Sequence, residues 1–134
     1  MKVRFKTREI TEGLISKYDN PLLAKQDFHL DIGSDYLVFG LYIQKNGAIV
    51  IDCLNKYRHL RDYPLDLFEV VDNRVSKYWE MNISKNGDTT FLPNEYYENE
   101  YFHDDLSEDI PEVVAKFHDL VKRMTEEQIS NIDV

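Results

Sequence analysis

The apolar positions of this chain change period along its length, and each change marks an element. Residues 8–18 carry Ile10, Leu14, Ile15 and Tyr18, spacings of four, one and three that put one stripe on a short helix. Asp19-Asn20-Pro21 ends it, because proline cannot continue a helix and biases the preceding residue toward extended backbone. Phe28, Leu30 and Ile32 alternate with His29 and Asp31, the period of a half-buried strand. After a turn at Gly33-Ser34-Asp35, Tyr36 to Ile43 and Ala48 to Leu54 flank Lys45-Asn46-Gly47. Two nearly continuous apolar arms around Asn-Gly predict a central β-hairpin with a type I′ turn. Residues 55–64 are polar and locally basic, with Lys56, Arg58 and Arg61, and read as an exposed connection. Leu65 to Val71 suits a short helical turn or a buried strand, and strand is preferred. Val75 to Ile83 alternates again, with Val75, Trp79, Met81 and Ile83 sharing the face that would anchor Trp79 in the core. Lys85-Asn86-Gly87-Asp88 then turns the chain into Thr89 to Leu92.

Ile110, Val113, Val114, Phe117, Leu120, Val121 and Met124 form the stripe of a C-terminal amphipathic helix. Asp109 and Glu112 read as its capping box, Pro111 fits its first turn, and Lys122 with Arg123 would sit near its negative end. Residues 129–134 read as a frayed tail. There is no internal repeat. The expected fold is one α+β domain spanning residues 1–134. It has a central antiparallel sheet of about five to six strands built from hairpins, a short N-terminal helix, and the C-terminal helix packed on one face.

Composition narrows the function classes. At 134 residues and 43% apolar, the chain is long enough for one continuous core. Its most apolar stretch, Tyr36 to Ile43, is interrupted by Gly40 and falls far short of the roughly 20 residues that cross a bilayer. No export signal is visible at Met1-Lys2-Val3-Arg4-Phe5-Lys6. Cys53 is the single cysteine, so no internal disulfide forms and a cytoplasmic location is expected. A net charge of −9 argues against nucleic acid as a partner, since phosphate binding depends on clustered Lys and Arg. It suits a basic protein partner, although acidity also keeps proteins dispersed.

No serine elbow, Gly-rich phosphate loop, dinucleotide fingerprint or zinc spacing occurs, so no catalytic residue, cofactor or metal is expected. Cys53, at an apolar strand end without basic surroundings, reads as a buried structural thiol rather than a nucleophile served by His59 or His103. Asp72-Asn73-Arg74 reads as a turn. His103-Asp104-Asp105 and His118-Asp119 contain metal-ligand types, but structural or surface roles are preferred for both histidines. The unusual segment is Asn94 to Glu112, which carries eight acidic residues and no Lys or Arg, with tyrosines and Phe102 running through it. That mixture suits docking on a basic protein, with Tyr96, Tyr97, Glu98, Glu100, Tyr101, Asp104 and Asp105 as the candidate contacts. The alternative is a solvated loop whose tyrosines lap over the sheet edge.

In general character, through Tyr36-Leu37-Val38-Phe39-Gly40, Pro64 to Asp72 and Tyr101-Phe102-His103-Asp104-Asp105, the chain resembles the small acidic immunity proteins of bacterial polymorphic-toxin and contact-dependent inhibition systems. The resemblance implies a stoichiometric inhibitor that binds a toxin domain, often a basic nuclease, and blocks it. It carries over no site residue. Two other readings stand beside it. One is a metal-dependent small-molecule enzyme using His103, Asp104 and Asp105 in a cleft between sheet and helix. The other is an oligomeric structural or adaptor protein that pairs exposed strand edges.

Overall fold

The computed structural model describes residues 1–132. The chain runs through β1 (Lys2–Phe5), α1 (Glu12–Tyr18), β2 (Asp35–Leu37), β3 (Gly40–Ile43), β4 (Ile49–Leu54), β5 (Leu60–Pro64), β6 (Phe68–Asp72), β7 (Trp79–Ile83) and β8 (Thr89–Pro93), then α2 (Asn94–Glu98), α3 (Phe102–Ser107) and α4 (Pro111–Ile132). The α+β class is as expected. The strands divide into two antiparallel sheets, β2-β1-β6 and β5-β4-β3-β8-β7.

The five-stranded sheet is covered on both faces, and this explains the apolar runs in β3 and β4. One core, holding Val3, Phe5, Phe28, Leu30, Leu41, Ile51 and Phe68, joins it to the small sheet. The other, holding Phe39, Leu92, Phe102, Phe117, Leu120 and Met124, joins it to α3 and α4. Strand alternation sorts β4 between them: Ile51 and Cys53 belong to the first core, while Asp52 and Leu54 point to the second face.

Several expectations need correction. Phe28 and Leu30 are buried, but the segment around them is not a strand. Tyr36 and Leu37 belong to β2 in the small sheet, and only from Gly40 onward does the chain pair with β4. Residues 60–64 form β5 rather than an exposed connection, because Leu60 and Tyr63 bury their side chains. Residues 65–71 divide between a 3-10 turn at Leu65–Leu67 and the start of β6. The expected strand 75–83 begins only at Trp79, and neither Val75 in the loop before β7 nor Met81 and Ile83 on it join the core; all three are exposed. Trp79 is half-buried and donates its indole N–H to the Phe39 carbonyl at 2.8 Å. Asp109 does not cap α4. It lies in the left-handed region at φ 57° and closes α3 in a Schellman arrangement, with Ile110 N–H donating to Asp105 O and Asp109 N–H to Leu106 O. The last helix continues to Ile132, so Lys122 and Arg123 lie well inside it and residues 129–132 are helical. Residues 133 and 134 lie outside the described residues.

The hairpin turns share one geometry, and it is not type I′. In the β3–β4 turn Gly47 N–H donates to Gln44 O, and Gln44 N–H donates to Ala48 O. The β7–β8 turn repeats this with Ser84, Gly87 and Asp88. Only the glycines have positive φ, 89° at Gly47 and 93° at Gly87, which makes each a type I turn closed by a left-handed residue. The preceding asparagines accept from the backbone two residues on, at Ala48 and Asp88. The β4–β5 turn follows the same plan, with Arg58 N–H donating to Asn55 O. There the left-handed position, at φ 63°, is held by Arg58.

Leu120 is fully buried beneath α4. Leu120→Ala should cost about 3 kcal/mol in denaturant unfolding, whereas Lys116→Ala on the exposed side of α4 should stay within about 0.5 kcal/mol.

Candidate functional site

The site grows from the pairing of β4 with β5, which sets Asp52 directly across from Asp62. Both carboxylates project to the α3–α4 side of the sheet. Asp52 is 0% exposed. A carboxylate at that depth requires compensation, and it comes from α3, where Nε2 of His103 lies 3.0 Å from Asp52 Oδ2. On the adjacent strand Gly40 pairs with Asp52. A Cβ there would lie 2.8 Å from Leu92 Cδ2 and 3.0 Å from Asp52 Oδ1, so the absence of a side chain at residue 40 is what admits the carboxylate. Tyr96 of α2 completes the cluster, its ring centroid 4.7 Å from that of His103 and 4.9 Å from that of Phe102. Asp52 Oδ1 and the Tyr96 hydroxyl are buried, and neither has a hydrogen-bond partner among the described residues.

These neighbours shift one another's protonation. Burial works against a charged His103 ring, but the hydrogen bond and charge of Asp52, reinforced by Asp62 and Asp104, outweigh it and raise the pKa above 6.5. Asp62 stands at the open edge of the cluster. The protein surrounding its carboxyl and, second, the like charge of Asp52 push its pKa up to about 6. The Tyr96 phenol is driven well above its ordinary value by burial and then by Asp52. One ligand atom from each of Asp52, Asp62 and His103 lies within 4.8 Å of the others. The set of two carboxylates and one imidazole matches the donor chemistry of a divalent metal site.

His103 also lines a cleft of about 550 Å³ between the β4–β5 hairpin and helices α3 and α4. Arg58, Arg61 and Lys122 line the same cleft, bringing positive charge together in a chain of net charge −9. Asp109 is the one carboxylate on its wall.

The candidate contacts of the acidic segment divide. Glu98, Glu100, Tyr101 and Asp104 are exposed on α2, α3 and the bend between them. Asp105 is half-buried and accepts from Asn99 at 3.1 Å. Tyr97 is half-buried and donates its hydroxyl to the Glu80 carbonyl at 2.9 Å. Tyr96 points inward, only 6% exposed. Neither Asp104 nor Asp105 joins His103 in a ligand-like group: among the described residues the imidazole meets Asp52 and Asp62 instead, because α3 turns successive side chains to different sides. His118 and His59 are exposed on the cleft wall, and Asp119 pairs with Arg123 rather than with His118. Cys53 is buried and its thiol is pushed up by that burial. Asp72 bonds Arg74 across the expected turn and also accepts from Gln128 of α4 at 2.6 Å. Sequence reasoning missed Asp52 and Asp62. The available signal was an acid inside Ile49-Val50-Ile51-Asp52-Cys53, since a carboxylate on a two-faced buried strand must have a partner.

Comparison of the chain with protein-family models, curated proteins and solved structures gives no match. No helix among the described residues is long and apolar enough to cross a membrane.

The cluster makes stability depend on pH with a definite sign. The raised His103 pKa stabilises the fold below the unfolded value near 6.5, and that contribution is lost as pH rises through the folded value. The raised Asp62 pKa favours its protonated form in the folded state, so stability also falls as pH climbs from 3.8 to about 6. The cluster should therefore pull the melting temperature down between pH 5 and 8, against the Met1 amino group, whose lowered pKa acts in the opposite sense. Asp62→Asn should remove part of that downward pull. Parallel profiles for the two proteins would contradict the assignment.

Proposed function

We propose that this chain is a non-catalytic protein-binding domain, an immunity-type inhibitor that neutralises a basic, nuclease-like bacterial toxin by occluding it. The observation that carries the reading is the outward face of α2 and α3. Glu98, Glu100, Tyr101 and Asp104 are exposed there with no Lys or Arg from Asn94 to Ala115. Tyr96 and Phe102, both buried, fix the two short helices to the sheet, so the acidic face is held in one arrangement before any partner arrives. Pre-organisation lowers the ordering cost of binding. Negative potential steers a basic partner into encounter, and the exposed Tyr101 ring offers an aromatic anchor once contact is made. The contact set is accordingly Glu98, Glu100, Tyr101 and Asp104, with Asp105 at its edge; Tyr96 and Tyr97 support it from behind.

Reversing Glu98, Glu100 and Asp104 to Lys should slow association with the partner at least tenfold at low salt, measured by surface plasmon resonance against the toxin encoded beside this chain. The melting temperature should stay within a few degrees. Unchanged association would end the proposal.

A second reading, metal-dependent chemistry on a small molecule, draws on the proximity of Asp52, Asp62 and His103. Under it, zinc titrated calorimetrically should bind the native chain at a one-to-one ratio and bind Asp62→Asn at least tenfold more weakly. No difference between the two would remove it.

A further inference from the structure

The cleft beside His103 is cationic, and its positive charges are unspent. Arg58 and Lys122 make no side-chain hydrogen bond or salt bridge among the described residues, and Arg61 donates only to the neighbouring Leu60 carbonyl at 2.9 Å. Elsewhere Arg4 pairs with Asp35, Lys17 with Asp66, Arg74 with Asp72, and Arg123 with both Glu95 and Asp119, while the remaining cations are dispersed over the surface rather than gathered on one cavity. With 25 acidic residues against 16 Lys and Arg, partners are abundant. What sets Arg58, Arg61 and Lys122 apart is that the fold brings all three to one cavity.

Backbone geometry sharpens this. Arg58 occupies, at φ 63°, the turn position that glycine fills in both other hairpins. A side chain with a Cβ is disfavoured in that conformation, so the arginine is held there against a local cost, and it lines the cleft. Across the opening α4 contributes Lys122, and between them the floor is apolar, with Leu60, Phe117 and Val121 among its residues. Nδ1 of His103 makes no hydrogen bond among the described residues, while Nε2 is committed to Asp52.

We propose that this cleft binds a small phosphate monoester carrying an apolar or aromatic body, of the size of a nucleoside monophosphate. Guanidinium and ammonium groups supply charge-assisted donors to the phosphate. The apolar floor receives the body. A volume of about 550 Å³ lies in the range that encloses one ligand of drug size. The site goes beyond toxin binding and does not depend on it, since the acidic contacts of α2 and α3 are not among the cleft's lining residues.

Calorimetric titration of the full chain with AMP tests the proposal, with inorganic phosphate and adenosine as the separated halves of the ligand. AMP should bind at a one-to-one ratio, at least tenfold more tightly than either half. Arg58→Gly should weaken AMP at least fivefold while leaving the melting temperature unchanged or raised, because glycine suits the turn. Arg61→Ala and Lys122→Ala, both at exposed positions, should each weaken binding to a similar degree. Raising salt from about 50 to 500 mM should weaken it further. Absence of binding at millimolar AMP would overturn the proposal, as would affinity unaffected by all three variants. Adenosine binding as well as AMP would equally overturn it, because the cations would then have no part.

Discussion

A carboxylate with no exposed surface costs several kcal/mol unless something answers its charge. Asp52 is in that position, and the answer is supplied by an imidazole from a helix 51 residues later. The Asp52–His103 contact therefore does more than join two side chains. It specifies where α3 lies on the sheet. With α3 placed, Phe102 packs on Phe117 of α4 with ring centroids 6.4 Å apart, and Tyr96 of α2 is trapped beside the pair. Gly40 belongs to the same constraint, because any larger residue there would press on Asp52, Leu92 and Tyr96 together. The surfaces available for function lie on the two sides of α3: the acidic contacts outward, and the cleft between it and the β4–β5 hairpin.

The net charge of −9 conceals this division. Exposed acids on α2 and α3 present one field, while Arg58, Arg61 and Lys122 collect on the cleft. Screening over roughly 8–10 Å at physiological salt lets both exist on a small domain, since a ligand inside the cleft is governed by its nearest charges. An argument from total charge predicts a basic partner for the outer face. It says nothing about the cleft, whose cations come from two elements separated by some 60 residues of chain.

What could be read from the residues was whatever depends on local periodicity. The amphipathic stripe of α4 and the apolar arms of β3 and β4 declared themselves, since each buries a regular set of positions. The small sheet did not, because β1 is only four residues long and is fixed by its pairings with β2 and β6 rather than by its own pattern. Turn chemistry was half legible. Asn-Gly correctly marked two reversals, but the same reversal at Asn55 to His59 carries arginine at the glycine position, and β5 was read as part of an exposed connection because residues 55–64 are polar and locally basic. The site was the least legible. His103 was noticed for its neighbours Asp104 and Asp105, whereas its working partners come from β4 and β5 and meet it only through the strand register.

That failure has a physical source that bears on the two surfaces. Helical side chains next to each other in sequence diverge by about 100°, so His103 can face the sheet only if Asp104 turns away from it. The inward imidazole and the outward carboxylate are consequences of a single helix orientation. A segment that looked like one acidic patch is therefore divided by geometry: its rings and imidazole hold α2 and α3 against the sheet, and its exposed carboxylates are free to meet a partner. Loss of the inward contact would disturb both surfaces together, while changes to the outward acids leave the packing beneath them intact.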